Sequence, residues 1–380
     1  MTDVMVYVQH LLGIGHVRRM ALINQALRDK GMTVAVASGG IPDANLDFAA
    51  DHVFQLSPCK TADSDFSALV DPNGKTLGDD WKETRKKELL AAFQAMSPKL
   101  LLIEMFPFGR RGFRFELIPL FDAAKEAGIP IVCSVRDLLV RKTDIRKTEW
   151  MRDTARKYLD CVLVHGDPNL FGFDHSFEFA NDLSDLIVHT GYVAPDVDRT
   201  VKPDNLHRQG VLVSAGGGAV GATLIKLAIK ARRYSEKYKD AIWDIVAGPH
   251  FPDDQYESLR HQIPTDDIVL HRFLPDFRDR MSHAAVSVSQ AGYNTLMDVL
   301  ATGTPAVMVP FAEGGESEQT ERAEILSEEG VISLLDLDGL SAQSLAKQID
   351  NARQPQRIQI ALDGAIKTAE IIADKIKGTA

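Results

Sequence analysis

Residues 4–38 of the chain read VMVYVQHLLGIGHVRRMALINQALRDKGMTVAVAS and contain the pattern that decides the fold. An apolar strand over residues 4–9 is followed by a glycine-containing turn and by an amphipathic helix over residues 16–30. Gly31 closes that helix, and residues 33–38 form a second apolar strand. Runs of Val, Ile and Leu without polar alternation are typical of parallel strands covered on both faces. The stretch therefore predicts a βαβ unit of an α/β sheet.

The same alternation continues along the chain, lapses once and then starts again. Strands of the first array are expected at residues 52–57, 99–105, 129–135, 161–165 and 186–190. Residues 191–209 are rich in Pro, Asp and Lys and carry no periodicity. The second array has expected strands at residues 211–214, 243–246, 268–270, 284–289, 306–309 and 331–335, and its first helix at 221–234. Two such arrays predict two Rossmann-like, doubly wound domains that face each other across a cleft, with ligands beyond the carboxyl ends of the strands.

The expected boundaries follow from the two arrays. The N-terminal domain covers residues 1–190, residues 191–209 form a linker, the C-terminal domain covers residues 210–355, and a last helix occupies residues 356–380. Residues 59–80 are polar and have no period, which predicts a long mobile loop.

Composition excludes several classes of protein. The chain has 380 residues, 45% of them hydrophobic and 25% charged, which is typical of a soluble protein of two or three domains. A net charge of -10 argues against nucleic-acid binding. No apolar run reaches the ~18 residues of a membrane span, and the N-terminus does not resemble a secretory signal. Three scattered cysteines indicate a reducing cytoplasm and buried thiols. Neither the histidines nor the Asp63-Ser64-Asp65 triplet has the context of a metal site.

A glycine turn follows the first strand of each array. The first has Gly13 and Gly15 but Arg18 at the third position of a GxGxxG motif, and the next strand ends without an acidic residue, so NAD binding is disfavoured. The second, residues 216–223, resembles a P-loop in which Ala222 replaces the lysine. Its backbone N–H groups would suit a diphosphate at a helix N-terminus, and the alternative is a plain strand-to-helix turn.

The densest pattern is residues 289–323, SQAGYNTLMDVLATGTPAVMVPFAEGGESEQTERA. Asn294 and Thr295 open a helix after a glycine turn, and Asp298 follows one turn later on the same side. These groups would suit a phosphate and the hydroxyls of a sugar. The alternative is that Asp298 and Glu318 are only first-turn acids favoured by the helix dipole.

These residues, together with Gly303-Thr304-Pro305 and Pro310-Phe311, resemble the nucleotide-sugar signature of GT-B glycosyltransferases. The pattern is similar to that of the bacterial family that adds N-acetylglucosamine to lipid I, which has a C-terminal domain of the glycosyltransferase family 28 type. The likeness runs in register through the C-terminal half and rests mainly on the GxGH turn in the N-terminal half. It implies a GT-B fold whose last helix returns to the N-terminal domain.

The resemblance also implies a donor site. Asp298, where the usual residue is Glu, would hold the ribose hydroxyls, and Gly292, Asn294 and Thr295 would form the diphosphate turn. The other implied donor positions are Gly15, Gly217, Gly218, Ala219 in place of the usual Ser, Phe273 and Leu274 at the uracil ring, Gln290 where plant-type relatives have a His, and Glu318 and Gln319 at the sugar hydroxyls.

His16 matches the histidine that the family is proposed to use as a base. At a helix N-terminus the dipole disfavours the imidazolium, which keeps a neutral base near pH 7, and the alternative is a histidine that merely caps the helix. The segment MFPFGRRGFRF, residues 105–115, alternates aromatic residues with arginines beyond a strand end. We expect Arg110 and Arg111, with Arg136 and Asp137 after the next strand, on the acceptor side, where Phe and Arg would suit an anionic acceptor or an anionic membrane surface. The alternative is ordinary packing of the aromatic residues with solvated arginines.

Together these features predict an inverting hexosyltransferase that moves a sugar from a UDP-sugar, or another nucleotide-diphospho-sugar, to an acceptor hydroxyl. The expected acceptor is a small molecule, a lipid-linked molecule or a saccharide, with neither cofactor nor metal. The expected location is the cytoplasm, with peripheral contact at the inner face of the membrane. Two alternatives use the same site: a UDP-sugar hydrolase, since related hydrolases share the GxGHxxR pattern, and a non-catalytic UDP-sugar-binding protein.

Overall fold

The computed structural model describes residues 2–11, 15–43, 46–61, 68–140, 144–194, 207–215, 221–248, 251–310, 318–336, 339–355 and 360–378, and only the backbone of Gly15 and Glu318. The chain divides into two units. The first contains residues 1–195 and 360–380, and the second contains residues 196–359. Within the described ranges, no helix has the length and apolar character needed to cross a lipid bilayer.

The first unit is built on a parallel sheet. Its strands are β1 (Val4–Val8), β2 (Val34–Ser38), β3 (His52–Gln55), β6 (Leu100–Glu104), β7 (Ile131–Arg136), β8 (Cys161–His165) and β9 (Ile187–His189), and β4 (Lys60–Thr61) pairs with β5 (Leu69–Val70) in a separate hairpin. The order across the sheet is β3-β2-β1-β6-β7-β8-β9. The order therefore reverses between β1 and β6, and ligands of such sheets bind beyond the carboxyl ends of the strands at this point.

Helices α1 (Gly15–Asp29), α2 (Asp79–Met96), α3 (Arg114–Glu126) and α4 (Ile145–Tyr158) cover this sheet. The apolar stripe of α1 is fully buried and consists of Val17, Met20, Ile23 and Leu27, at the spacing of one helix face. This stripe packs with β1, β2 and β6, while α2, α3 and α4 contribute to a second cluster on the sheet. Burial on both faces explains why the central strands are continuous apolar runs.

The second unit repeats this architecture. Its strands are β10 (Gln209–Ser214), β11 (Trp243–Val246), β12 (Ile268–His271), β13 (Ala284–Ser289), β14 (Ala306–Met308) and β15 (Ser333–Leu334), and its helices are α5 (Gly221–Ala231), α6 (Asp253–His261), α7 (Phe277–His283), α8 (Tyr293–Thr302), α9 (Glu318–Glu328) and α10 (Ala342–Asn351). The parallel order is β12-β11-β10-β13-β14-β15. Here the order reverses between β10 and β13, so the turn after β13 lies at the second switch point.

The last helix, α11 (Gly364–Gly378), belongs to the first unit. Ala369 and Ile372 are fully buried in the same cluster as the apolar stripe of α1. The segment before the helix is fixed by an antiparallel bridge between Val193 and Asp363. Helix α11 begins eight residues later than the helix expected from residue 356, and residues 356–359 lie outside the described ranges.

Residues 59–80 differ from the expected mobile loop. They contain the β4–β5 hairpin, and α2 already begins at Asp79, while residues 62–67 lie outside the described ranges. Strands of two residues are too short to show a period, which explains why the sequence pattern did not indicate the hairpin. The three cysteines are free and buried, as expected.

Candidate functional site

The carboxyl edge of the first sheet brings a histidine and a carboxylate together. His16 lies in the first turn of α1, which follows β1, and Glu104 is the last residue of the neighbouring β6. The Nδ1 atom of His16 lies 2.5 Å from Oε1 of Glu104, and Nη2 of Arg19 donates to the same oxygen at 2.6 Å. Glu104 is fully buried, and the side chain of His16 keeps 20% of its surface exposed.

This arrangement sets the tautomer of the imidazole. An ionised carboxylate can only accept hydrogen bonds, so Nδ1 of His16 carries the proton that is donated to Glu104. The Nε2 atom is then left with a lone pair, and the ring is held in one orientation. A neutral imidazole that is oriented by a carboxylate can remove a proton from a substrate hydroxyl.

Burial and charge keep this imidazole neutral. Burial lowers the pKa of His16 to about 4, Glu104 opposes this change, and Arg110 and Arg19 add to it. Burial alone would raise the pKa of Glu104, but His16, Arg19 and Arg110 outweigh it and hold that pKa well below its usual range. The helix dipole was the predicted reason for a neutral His16, and in this structure burial, Arg110 and Arg19 also favour the neutral state.

The residues expected on the acceptor side differ in how deeply they are buried. Arg110 lies just before a short 3-10 turn that begins at Arg111, and Arg136 is the last residue of β7. Asp137 is fully buried, so its side chain lies beneath the surface rather than on it.

The aromatic residues of the 105–115 segment are not a binding surface. Phe106, Phe108 and Phe113 are buried in the core of the first unit, so the expected aromatic and arginine surface is wrong in its aromatic part. The alternation places the phenylalanines inward and leaves the arginines closer to solvent.

The turn after β13 has the properties of an anion site. Gly292 is the N-cap of α8, and it has no side chain that could cap the first N–H groups of the helix. A Cβ added to Gly292 would meet no atom within 4 Å, which leaves room for a ligand close to the backbone. Asn294 and Thr295 lie half-buried in the first turn, and Gln290 precedes the turn. Such N–H groups with the helix dipole bind phosphate oxygens.

Asp298 lies in the second turn of α8 and is paired with an arginine that the sequence did not indicate. Nη2 and Nε of Arg278, on α7, donate to its Oδ1 at 2.7 and 3.0 Å. The first turn of α8 contains no acidic residue, so the alternative of a dipole-favoured first-turn acid is wrong for Asp298. The carboxylate is thus held in a fixed position, with 20% of its side-chain surface exposed.

The remaining donor-side residues are partly described. Phe273 follows β12 and is 53% exposed, whereas Leu274 is buried. Gln319 is half-buried at the start of α9, and Glu318 is described by its backbone alone. Gly217, Gly218 and Ala219 and the loop of residues 311–317 lie outside the described ranges.

A second arginine that the sequence did not indicate supports the turn after β13. Arg322 on α9 is fully buried, and its Nη1 donates to the carbonyl oxygen of Ala291 at 3.4 Å. Its guanidinium carbon lies 5.9 Å from the ring centre of Tyr293. A buried cation beside the turn adds to the positive potential of the helix N-terminus.

In the part of the chain that the structure describes, no group of three His, Cys, Asp or Glu residues could hold a metal ion. Asp63 and Asp65 lie outside that part.

A comparison with protein-family models gives a match in the C-terminal part of the chain. Residues 212–375 match the family model described as the glycosyltransferase family 28 C-terminal domain. This part of the chain is similar to that family. The matched residues contain β13, α8 and α9, with Asp298 and the turn at Gly292, and they extend into α11.

Two curated proteins that are similar to this chain carry the same name. A protein of Natranaerobius thermophilus is 30% identical over 30% of this chain and 32% of its own length, and one of Gloeothece citriformis is 23% identical over 68% and 66%. Both are called UDP-N-acetylglucosamine--N-acetylmuramyl-(pentapeptide) pyrophosphoryl-undecaprenol N-acetylglucosamine transferase. The matches thus span about a third and about two thirds of these relatives.

Solved structures match the whole chain. MurG of Acinetobacter baumannii superposes with a TM-score of 0.62 at 14% identity, covering 100% of both chains. Phytolacca americana UGT2 in complex with UDP-2-fluoro-glucose and pterostilbene gives a TM-score of 0.58 at 13% identity, covering 100% of this chain and 95% of that one. The predicted fold is confirmed: the chain has the GT-B fold.

Proposed function

We propose that the protein is an inverting glycosyltransferase that moves a sugar from a UDP-sugar to an acceptor hydroxyl. The observation that carries the proposal is the pairing of His16 with Glu104, which leaves Nε2 as a proton acceptor in a chain that also has a family 28 domain. The names of the relatives support UDP-N-acetylglucosamine as the donor.

In this proposal the family 28 domain binds the donor. The N–H groups at the start of α8 receive the diphosphate, with Gly292 allowing close approach and Arg322 adding positive charge. Asp298 accepts hydrogen bonds from the ribose hydroxyls while Arg278 holds its carboxylate in place. Phe273 and Leu274 lie at the uracil ring, and Glu318 and Gln319 contact the sugar.

The reaction is a single displacement. The acceptor oxygen attacks the anomeric carbon while Nε2 of His16 takes its proton, and the bond from that carbon to the diphosphate oxygen breaks. The electron pair leaves with UDP, whose growing negative charge is stabilised by the N-terminus of α8. Glu104 stabilises the imidazolium that forms, and attack from the side opposite the leaving group inverts the configuration.

The proposal extends to the acceptor and to the location. The relatives are named for a pyrophosphoryl-undecaprenol acceptor, so a lipid-linked acceptor is part of the proposal beside small molecules and saccharides. A membrane lipid of this kind, together with three free buried thiols, favours the cytoplasm with peripheral contact at the inner face of the membrane. The proposed reaction uses no cofactor and no metal.

Turnover with and without an acceptor tests the proposed reaction. We expect slow UDP release from UDP-N-acetylglucosamine in water and much faster release when an acceptor from a panel of lipid-linked, small-molecule and saccharide alcohols is added. The measurement is a coupled assay of UDP, with the product identified by mass spectrometry. Full-rate release without any acceptor would identify a hydrolase, and UDP-sugar binding without turnover under any condition would identify a binding protein.

Replacing Asp298 with alanine tests the donor site. We expect UDP binding to weaken by about 1.5–3 kcal/mol in calorimetric titration, since a charge-assisted hydrogen bond to the ribose is lost. Asp279→Ala is the matched control, because Asp279 is an exposed carboxylate on the same helix as Arg278. Melting temperatures of both variants monitor the fold. Unchanged UDP affinity in Asp298→Ala would mean that this carboxylate serves only to neutralise Arg278.

A further inference from the structure

The outer strand of the second sheet ends in a histidine that a carboxylate orients. His271 is the last residue of β12, and its Nε2 lies 2.6 Å from Oδ1 of Asp244 on the neighbouring β11. An ionised carboxylate can only accept hydrogen bonds, so Nε2 carries a proton and donates it. In the neutral ring the other nitrogen, Nδ1, is then an acceptor. Within the described residues Nδ1 makes no hydrogen bond, and protein atoms do not enclose it, so a ligand can reach it.

The carboxylate that orients His271 is itself held from a second side. Arg280, on α7, donates from Nη1 to Oδ2 of Asp244 at 3.3 Å and from Nε to Asp276 at 3.1 Å. The side chains of His271 and Asp244 keep only 20% and 22% of their surface exposed. A carboxylate that accepts on both oxygens cannot turn freely, so the imidazole keeps one orientation before any ligand arrives.

Helix α7 connects this pair with the carboxylate assigned to the ribose. Arg278 lies two residues before Arg280 and donates to Asp298, whereas Arg280 donates to Asp244. A helix of seven residues thus carries the arginines that hold both carboxylates. The oriented histidine and the proposed ribose carboxylate therefore lie on the same side of the second sheet, the side on which α7 packs.

The chain after His271 leads to the position proposed for the nucleobase. The guanidinium of Arg272 lies on the other side of the sheet, 4.3 Å from the ring centre of Tyr256 on α6. The strand ladder continues to this residue, because the N–H of Gly248 donates to its carbonyl oxygen. Alternation of side chains puts Phe273 back on the side of His271, and 53% of Phe273 is exposed. Both side chains lie at the carboxyl end of β12, where ligands of such sheets bind.

We propose that His271 reads the nucleobase of the donor, with Nδ1 accepting a hydrogen bond from the imide N–H of uracil. The proposal rests on the proposed glycosyl transfer and adds to it a side chain that selects the base, with Asp244 as its positioning residue. Uracil carries a proton on N3, whereas cytosine presents a lone pair at the same ring position. That lone pair would face the lone pair of Nδ1, so a donor with cytosine is rejected.

Calorimetric titration of the full chain with UDP, CDP and N3-methyl-UDP tests the proposal. We expect CDP to bind roughly tenfold or more weakly than UDP, because one hydrogen bond is lost and two acceptors are left facing each other. N3-methyl-UDP should also bind more weakly than UDP, since a methyl group replaces the proton that Nδ1 accepts.

The variant His271→Phe keeps a ring and removes both nitrogens. We expect UDP to lose roughly tenfold in affinity and CDP to change by less than about twofold, so that the two ligands bind almost equally. Asp244→Asn should give an intermediate preference, because an amide holds the imidazole without a charge. The matched control is His283→Phe, which removes an exposed histidine that lies beside Asp279 on α7 and should keep the preference of the parent chain.

The possible outcomes separate this proposal from the proposed function. Equal losses of UDP and CDP affinity in His271→Phe would assign a structural role to the histidine, and equal binding of UDP and CDP by the parent chain would mean that it does not read the base. Either result overturns the proposal and leaves glycosyl transfer in place. If His271→Phe does not fold, as judged by its melting temperature, an unchanged preference for UDP in Asp244→Asn has the same meaning. A parent chain that binds no nucleoside diphosphate would refute the proposed function and this proposal together.

Discussion

Alanine in place of His16 is expected to lower kcat by roughly 10²–10⁴-fold while UDP affinity changes by less than about twofold. The reason is that Nε2 of His16 takes the proton of the acceptor only as the reaction proceeds, so the loss falls on the chemical step and not on donor binding. Steady-state kinetics, with an acceptor found in the panel assay, measure kcat. Calorimetry with UDP measures the affinity.

The control for this variant is His52→Ala, which removes an exposed histidine from β3 in the same unit. It should leave kcat near the parent value. If His16→Ala retained full turnover with a functional acceptor, the base would have to be another group, and the pair with Glu104 would be a structural contact only.

Glutamine in place of Glu104 is expected to lower kcat by roughly 10–10³-fold. A neutral amide does not stabilise the imidazolium by charge, and because an amide both donates and accepts it no longer fixes the proton on Nδ1 of His16. Arg19 would lose its buried anionic partner, so the variant should also melt at a lower temperature. Glu126→Gln, at the exposed end of α3, is the control for the change of charge.

The pH profile separates the catalytic effect of Glu104 from its effect on stability. The parent kcat/KM should fall as the pH drops through about 4, where His16 becomes protonated. Because Glu104 raises the pKa of His16, this limb should move to lower pH in Glu104→Gln. An unchanged limb with a normal kcat would contradict the role assigned to the carboxylate.

The lowered pKa of Glu104 determines the direction in which the free energy of unfolding changes with pH. The unfolded chain binds the proton more readily than the folded one, so the contribution of this carboxylate to the free energy of unfolding is complete above the unfolded pKa. It is lost as the pH falls through the lower, folded value. The stability of Glu104→Gln should lack this part of the acid dependence.

The sequence predicts elements well where both faces of a strand are buried. The strands β8 and β13 match their expected bounds at both ends, since a mostly apolar run that follows a polar residue leaves little choice of where a buried strand can begin. The hairpin in residues 59–80 and the start of α11 were predicted less well, because short or half-exposed segments carry no period of their own.

Some residues of the candidate site could likewise be predicted from the sequence, and others could not. His16 and Asp298 could be found because each lies in a local motif of a strand, a turn and a helix. Glu104 is 88 residues from His16 in the chain, and only the pairing of β1 with β6 brings the two together. The available signal was an acid that ends the otherwise apolar strand LLLIE. Arg278 gave no such signal, because its partner Asp298 lies on a different helix.

The attachment of α11 to the first unit affects the order in which the protein can be completed during synthesis. Translation supplies every residue of the second unit, 196–359, before it reaches Ala369 and Ile372. The first unit therefore lacks part of its core until α11 has been synthesised, while the second unit can close first. A chain truncated before α11 would uncover the part of this cluster that Ala369 and Ile372 cover and would leave the second sheet intact, so α11 acts as a check on the completeness of the first unit.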